Sequence, residues 1–186
     1  MRIIAGQWRG LKLADVGEGD AAAHLRPTSD RVRESLFNIL GNQGGVSPFV
    51  GARVLDLFAG TGALGLEALS RGAKHITFVD DGSTAHSLLK QNIDKCRAKD
   101  VTEILRGNAC DLGPNKGEPF DVVFLDPPYG KGMGDRALSS AIRNGWIAPN
   151  ALIVWEENSP QLPPAGFFLK EHRRFGDTHI TFAVPA

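Results

Sequence analysis

The sequence has little cysteine, no net charge and no long apolar run. Cys96 and Cys110 are too few for a disulfide framework, which excludes a small disulfide-stapled secreted fold. The 21 basic and 21 acidic side chains cancel, so bulk charge does not hold this chain on nucleic acid. No stretch has the length of a membrane span, and the first residues lack the apolar segment of a signal peptide. We therefore expect a cytoplasmic protein without membrane contact.

Metal-ligand spacing and a nucleophilic triad are also lacking. The five histidines are scattered, and neither cysteine has a second ligand residue at short spacing. No arrangement of serine, histidine and an acid stands out beyond chance. We therefore expect no bound metal and no serine-hydrolase chemistry.

Strands and helices alternate along the chain from residue 53 onward. Short apolar runs predict strands at 53–58, 75–80, 101–107, 120–126 and 151–157. Helical spacing predicts helices at 63–71, 83–96 and 136–144. Two late segments, 167–175 and 179–184, predict a hairpin that adds an antiparallel edge. The pattern is typical of an α/β fold with a mostly parallel sheet of seven strands and helices on both faces. Ligands of such sheets bind at the carboxyl ends of the strands.

The first 50 residues predict a small extension ahead of this domain. Residues 2–13 indicate a hairpin with turns at Gly6 and Gly10. A helix follows, with Thr28 or Ser29 as its cap. We divide the chain into an extension over residues 1–50 and one compact domain over residues 51–186.

A glycine-rich turn follows the first strand of the domain. Gly60, Gly62 and Gly65 fit G-x-G-x-x-G, and Asp80 ends the next strand 18 positions after Gly62. Nicotinamide-dependent oxidoreductases share this pattern, so that class stays open. Asp56 ends the first strand beside the turn, however, and a carboxylate there would repel a pyrophosphate. S-adenosylmethionine has an ammonium group, no phosphate and two ribose hydroxyls that Asp80 would bind. The structural alternative is a tight turn in which Asp56 only caps the next helix.

The tetrapeptide Asp126-Pro127-Pro128-Tyr129 ends the fourth strand. Pro128 has no N–H, so the Pro127 carbonyl is free to accept a hydrogen bond beside the Asp126 carboxylate. Two acceptors that hold both hydrogens of an exocyclic amine favour a pyramidal nitrogen, whose lone pair can face an electrophile. Tyr129 would orient the plane of the base, and a base within a helix would have to flip out. We assign catalysis to these four residues; the alternative is a strand end with Tyr129 in the core.

The order FAGTG, Asp80 and DPPY resembles class I S-adenosylmethionine-dependent methyltransferases that act on base amines. The segments 2–13, 26–40, 54–73 and 175–180 are similar to the bacterial 16S ribosomal RNA guanine-N2 methyltransferase family of the RsmD type. This resemblance covers nearly the whole chain. It implies a Rossmann-like methyltransferase fold, S-adenosylmethionine as the cofactor, and methylation of one guanine 2-amino group of 16S ribosomal RNA in the small-subunit particle.

The resemblance also implies which residues bind the cofactor. They are Asp56, Phe58, Gly60, Thr61, Gly62, Asp80, Asn108 and Ala109. Two positions depart from the family pattern. Asn108 stands where the family often has aspartate, yet it can still accept and donate toward the adenine amine. Where the family often has glutamate, this chain has Asp80 followed by Asp81, and either could hold the ribose.

Basic side chains near the start of the chain predict the RNA contact. Residues 1–50 hold six Lys or Arg against five Asp or Glu, and three of these acids fall within residues 15–20. We expect RNA contacts from Arg2, Arg9, Lys12, Arg26, Thr28, Arg31 and Arg33. Trp8 either stacks on the RNA or packs in the hydrophobic seam. The expected partner is 16S ribosomal RNA or the small ribosomal subunit, bound by a monomer; the alternative is an ordinary solvated surface.

Further interpretations stay open. Residues 130–135 predict a lid over the base, or else an ordinary surface loop. Glu156 lies either near the site or at a solvated strand end. Because DPPY-like sites serve several planar amines, DNA adenine and a protein glutamine are alternative substrates. A non-catalytic RNA-binding module with a vestigial pocket is the alternative from another class.

Overall fold

A computed structural model describes residues 1–16, 28–42 and 45–186 of the chain. The helices of the described residues are α1 (Asp30–Asn42), α2 (Ala63–Ser70), α3 (Ser83–Cys96) and α4 (Met133–Arg143). The strands are β1 (Arg53–Leu57), β2 (His75–Asp80), β3 (Thr102–Arg106), β4 (Phe120–Leu125), β5 (Ile147–Glu157), β6 (Phe167–Phe175) and β7 (Thr178–Pro185). None of these helices is long and apolar enough to cross a membrane.

The strands form one seven-stranded sheet in the order β3-β2-β1-β4-β5-β7-β6. Strands β1 to β5 run parallel, while β7 runs antiparallel to both β5 and β6. This confirms the predicted Rossmann-like sheet. The predicted hairpin is present as β6 and β7 and adds the antiparallel edge, with β6 outermost. The reason is burial: β7 carries Ile180 and Phe182 into the core, whereas most side chains of β6 are exposed.

Helices cover both faces of the sheet. Val122 and Phe124 of β4 join a core cluster with α1, α2 and α3, and Val123 and Leu125 join a second cluster with α4. This two-residue alternation is the period of a strand buried on both faces. A ligand therefore has access to the sheet at the strand ends and not at its faces.

The N-terminal segment forms the predicted hairpin, which packs on α2. Around the Arg2–Lys12 bridge, three backbone hydrogen bonds of 2.8–3.1 Å link its two arms. The amides of Ile4 and Ala5, which these bonds do not use, donate to the buried carboxylate of Glu67, at 2.8 and 3.1 Å. A side chain of α2 thus satisfies two further backbone donors of the segment.

A second buried side chain ties this segment to the glycine-rich turn. Asn92 of α3 accepts from the amide of Ala14 at 2.7 Å and donates to the Ala14 carbonyl at 3.0 Å. It also donates to the carbonyl of Thr61 at 2.9 Å. Ile3 and Leu13 lie in the same core cluster as the sheet. The division at residue 50 stays a prediction.

The start of α4 does not fit the predicted lid. The helix begins at Met133 and its Gly134 is buried, so a Cβ there would lie 2.3 Å from the Trp155 ring. Ahead of the helix, the Gly130 amide donates to the Glu157 carboxylate at 3.1 Å. Residues 133–135 are therefore a packed helix turn, and the lid prediction is wrong for them.

Candidate active site

The predicted catalytic and cofactor residues lie at the carboxyl ends of β1, β2, β3 and β4. In the sheet register, Leu125 of β4 pairs with both Leu57 of β1 and Trp155 of β5. Asp126 and Glu156 therefore lie side by side at the β4–β5 boundary, next to the turn that leaves β1.

The glycine-rich turn is built from left-handed backbone. Gly60 and Gly62 have φ of 56° and 79°, and Phe58 has φ of 60°, which side chains rarely adopt. The Gly62 amide donates to the Ala59 carbonyl at 2.8 Å and closes the turn. A non-glycine residue in this conformation costs free energy and is found at ligand clamps. The turn thus presents its backbone beside the end of β1, where α2 begins.

Asp80 is fixed against this turn. One carboxylate oxygen accepts from the Gly60 amide at 2.9 Å and the other from the Gly82 amide at 2.8 Å. The neighbouring Asp81 is exposed and has no such contact with the turn. Because each carboxylate oxygen can accept about two hydrogen bonds, Asp80 retains acceptor positions for a diol. Of the two acids left open by the sequence, Asp80 is the one at the turn.

Asp56 is buried, with 1% of its surface exposed. Its carboxyl oxygen accepts from the Gly65 amide in the first turn of α2 at 3.0 Å. Burial raises the pKa of Asp56 to about 8, against the opposing effect of this hydrogen bond. The capping contact named as the structural alternative is present, and a role toward a ligand's ammonium group stays a prediction.

Of the other predicted cofactor residues, Asn108 and Ala109 follow β3, and Thr61 lies in the glycine-rich turn itself. The Asn108 side chain is exposed, and its oxygen accepts from the Cys110 amide at 2.9 Å, which leaves its amide nitrogen as a donor. Ala109 is buried behind it. The hydroxyl of Thr61 lies 3.5 Å from the sulfur of Met1, so this side chain contacts the N-terminal segment.

Four side chains meet at the β4–β5 boundary. The Thr28 hydroxyl lies 3.4 Å from Asp126 Oδ2 and 3.1 Å from Glu156 Oε2. Tyr129 donates its hydroxyl to Glu156 Oε1 at 2.9 Å. The ring of Tyr129 is thus held in place by its hydroxyl, and Thr28 bridges the two carboxyl groups.

This cluster is electrostatically costly without a ligand. Burial, and then the charge of Glu156, raise the pKa of Asp126 well above its ordinary value. Burial also raises the pKa of Glu156, while the hydroxyl donors Tyr129 and Thr28 oppose the shift. Two carboxyl groups this close favour sharing a proton. The site therefore favours a ligand that brings several N–H donors.

Arg33 is a correction to the predicted RNA surface. Its side chain is fully buried, pairs with Asp30, and donates to the Arg2 carbonyl at 2.7 Å. The position lies three and four residues before Leu36 and Phe37, on the face of α1 that packs in the core. Arg33 is therefore structural, and its prediction as an RNA contact is wrong.

Four of the other basic residues predicted to contact RNA are exposed: Arg2, Arg9, Lys12 and Arg31. Trp8 is half-buried and packs against the core cluster, which favours the seam interpretation. Arg26 lies outside the described residues.

Glu156 was the residue that the sequence left undecided, and it belongs to the site. It is 5% exposed at the end of an apolar strand. The signal available in the sequence was the pair of adjacent acids that ends this strand. Only the order and register of the strands place this acid beside Asp126. Across residues 1–16, 28–42 and 45–186, no group of three or more His, Cys, Asp or Glu could hold a metal ion.

Comparisons with known proteins identify the family. The family model described as "Conserved hypothetical protein 95" matches residues 1–184. The ribosomal RNA small subunit methyltransferase D of Haemophilus influenzae is 40% identical over 183 residues, spanning 95% of this chain and 89% of that protein. Its Escherichia coli namesake is 40% identical over 179 residues, spanning 95% and 85%. The chain belongs to the ribosomal RNA small subunit methyltransferase D family.

The solved structures agree with this membership. The Escherichia coli protein yhhF superposes with a TM-score of 0.82 at 37% identity, over 100% of this chain and 97% of that one. The resemblance drawn from the motifs is thereby confirmed, together with the methyltransferase fold. As a member of the methyltransferase D family, the chain is an S-adenosylmethionine-dependent methyltransferase.

Proposed function

We propose that the chain transfers a methyl group from S-adenosylmethionine to the exocyclic 2-amino group of one guanine in 16S ribosomal RNA, within the small-subunit particle. The observation that carries this proposal is the position of Asp126 and Tyr129, at the strand end next to the left-handed turn after β1. The names of the similar proteins from Haemophilus influenzae and Escherichia coli, which refer to small-subunit ribosomal RNA, support the substrate.

The residues present fit the cofactor. The Asp80 carboxylate, fixed by two amides, suits a ribose diol, and the turn at Gly60 and Gly62 lets backbone approach a ligand closely. Asn108 keeps an amide donor for the adenine ring. When bound, S-adenosylmethionine supplies a methyl group on a positively charged sulfur.

The chain's own residues hold the acceptor amine. Asp126 and the Pro127 carbonyl accept from the two hydrogens of the 2-amino group, so the nitrogen lone pair is freed from the ring. Tyr129, fixed by its hydrogen bond to Glu156, aligns the plane of the base. Such orientation contributes several kcal/mol to lowering the barrier, on the order of 10²-fold or more in rate. After transfer, the cationic nitrogen releases a proton, for which Asp126 is the adjacent acceptor.

The substrate reaches this site as a single unpaired or flipped-out base. The exposed Arg2, Arg9, Lys12 and Arg31 are proposed to bind phosphates around it. Arg26, which lies outside the described residues, is also proposed to bind phosphates.

Nucleoside analysis tests the proposal. The purified chain is incubated with labelled S-adenosylmethionine and small subunits from cells that lack the enzyme, and the RNA is digested to nucleosides. We expect N2-methylguanosine. Label in N6-methyladenosine, or in protein glutamine, would contradict the guanine assignment in favour of the alternative amines.

Asp126→Ala tests the role assigned to this carboxyl group. It should lower the rate by at least ~10²-fold, because one of the two acceptors for the amine is lost. Binding of S-adenosylhomocysteine, measured by calorimetry, should persist. Asp126→Asn keeps the side-chain shape and one acceptor oxygen, so its rate should fall between the rates of the wild type and Asp126→Ala. Near-normal turnover of Asp126→Ala would refute the assigned role.

A further inference from the structure

The carboxyl groups of Asp126 and Glu156 border one small region of the site. Each follows a residue of the registered pair Leu125 and Trp155, on parallel strands that lie about 4.8 Å apart. The Thr28 hydroxyl, within 3.4 Å of one carboxyl group and 3.1 Å of the other, joins them on one side. Two acceptor groups thus stand next to each other where the amine of the substrate is to be held.

Glu156 is oriented by neutral donors. Tyr129 donates to one of its oxygens and Thr28 lies in reach of the other. Two hydroxyl groups fix the direction of the Glu156 carboxyl group, and each of its oxygens retains an acceptor position in the charged form, which N–H donors of a substrate favour. Burying such a group costs stability, and such costs cluster at functional sites.

The edge of guanine matches a pair of adjacent acceptors. Its ring N1–H and its 2-amino group are neighbouring donors on either side of one ring carbon. Adenine presents an unprotonated ring nitrogen beside its amine, and a glutamine side chain presents a carbonyl oxygen beside its amine. A second carboxylate next to Asp126 would attract the edge of guanine, and it would repel the edges of adenine and glutamine.

We propose that Glu156 selects guanine by accepting a hydrogen bond from the ring N1–H, while Asp126 holds the adjacent 2-amino group. Thr28 is a positioning residue that holds Glu156 at this distance from Asp126. The inference rests on the function proposed above and names the group that discriminates between its candidate substrates.

The test compares two bases at the target position. Small subunits are reconstituted with 16S ribosomal RNA that carries either guanine or 2-aminopurine at the modified nucleotide. The analogue keeps the 2-amino group, but its N1 carries no hydrogen. Wild-type enzyme should prefer guanine by about ten- to a hundredfold in kcat/KM, the range expected for one hydrogen bond to a charged group.

Glu156→Gln isolates the contribution of the second carboxylate. We expect it to lower kcat/KM for guanine much more than kcat/KM for 2-aminopurine, so that the preference falls toward one. Loss of O6 in the analogue affects both enzymes equally and cancels in this comparison. Equal losses on both bases would overturn the proposal and assign Glu156 a structural role, and so would a wild-type enzyme without preference.

Two further measurements keep the test decisive. Melting temperature and S-adenosylhomocysteine binding check that Glu156→Gln is folded. Thr28→Val, which keeps the side-chain shape, should lower the guanine preference in the same direction; an unchanged preference would overturn the role of Thr28. If wild-type enzyme methylates no guanine-containing particle, the proposed function itself fails, which is a different result from a lost preference.

Discussion

Replacing Asp56 by Asn should stabilise the free enzyme increasingly as the pH rises. The pKa of the buried Asp56 is raised to about 8, from an ordinary value of 3.8, chiefly by burial. Above about pH 4 the unfolded chain has released this proton while the folded chain keeps it, so folding must take up a proton. The free energy of unfolding of the wild type therefore falls by about 1.4 kcal/mol per pH unit, until the pH passes the folded pKa.

Asn in place of Asp56 removes this linkage and keeps the contact to Gly65, since its amide oxygen can accept from the same N–H. Between about pH 5.5 and 7.5, the variant should gain about 3 kcal/mol over the wild type. For a chain of this size the melting temperatures should separate by roughly 6–12 °C over that interval.

Thermal melts at the two pH values, with Asp177→Asn as an exposed control for the loss of one charge, provide the assay. Carboxyl groups that do not interact with Asp56 titrate equally in both proteins, so they cancel in the difference. A gap between wild type and Asp56→Asn that is the same at both pH values would refute the reasoning.

The same variant tests whether Asp56 serves the cofactor. An ammonium group near the carboxyl would favour its charged form, so S-adenosylhomocysteine should raise the melting temperature of the wild type more than that of Asp56→Asn. Equal stabilisation of the two proteins would restrict Asp56 to capping α2.

Three other predictions follow from the site and its surroundings. Tyr129→Phe removes a donor that favours the charged form of Glu156, so the pKa of that carboxyl group should rise. The ascending limb of the pH–rate profile should then move to higher pH. An unmoved limb would contradict the contact between Tyr129 and Glu156. Asn92→Ala loses the three hydrogen bonds of a buried side chain, so it should lower the free energy of unfolding by about 2–4 kcal/mol and weaken cofactor binding. Denaturant titration and calorimetry check both, and unchanged values refute the link between the N-terminal segment and the turn. Charge reversal at Arg9 and Lys12 should weaken binding to small subunits and reduce its salt dependence, without changing cofactor affinity; unchanged particle binding would remove this face from the RNA contact.

The sheet and the cofactor turn were predictable because local signals determine them. Buried strands of four to six apolar residues with helices between them leave few alternatives to a doubly covered parallel sheet. Gly60 and Gly62 have positive φ, which a sequence expresses directly as glycine. The position of DPPY at a strand end then follows from the general rule for such sheets.

The errors arose where a distant part of the chain decides the local structure. Residues 130–135 have the composition of a mobile loop, yet Gly134 is small because the Trp155 ring of β5 lies against it. The sequence also did not predict where the N-terminal hairpin lies, because Glu67 and Asn92, which accept from amides of the segment, are distant in the sequence. Neither contact leaves a signal within the segment that it controls.

The charged residues show the same limit. Arg33 looked like a surface cation, although its spacing to Leu36 and Phe37 already placed it on the apolar face of α1. Glu156 lacked a neighbour in sequence that would assign it. Its place beside Asp126 depends on the register between β4 and β5, which a single sequence does not contain.

The most direct test of the central claim is the methylation map of 16S ribosomal RNA from cells whose only copy of this enzyme carries Asp126→Ala. Mass spectrometry of the RNA fragments, compared with cells that carry the wild type, locates every methyl group. We predict that one guanine loses its N2-methyl group and that all other marks remain. An unchanged map, or a loss confined to adenine, would contradict the account.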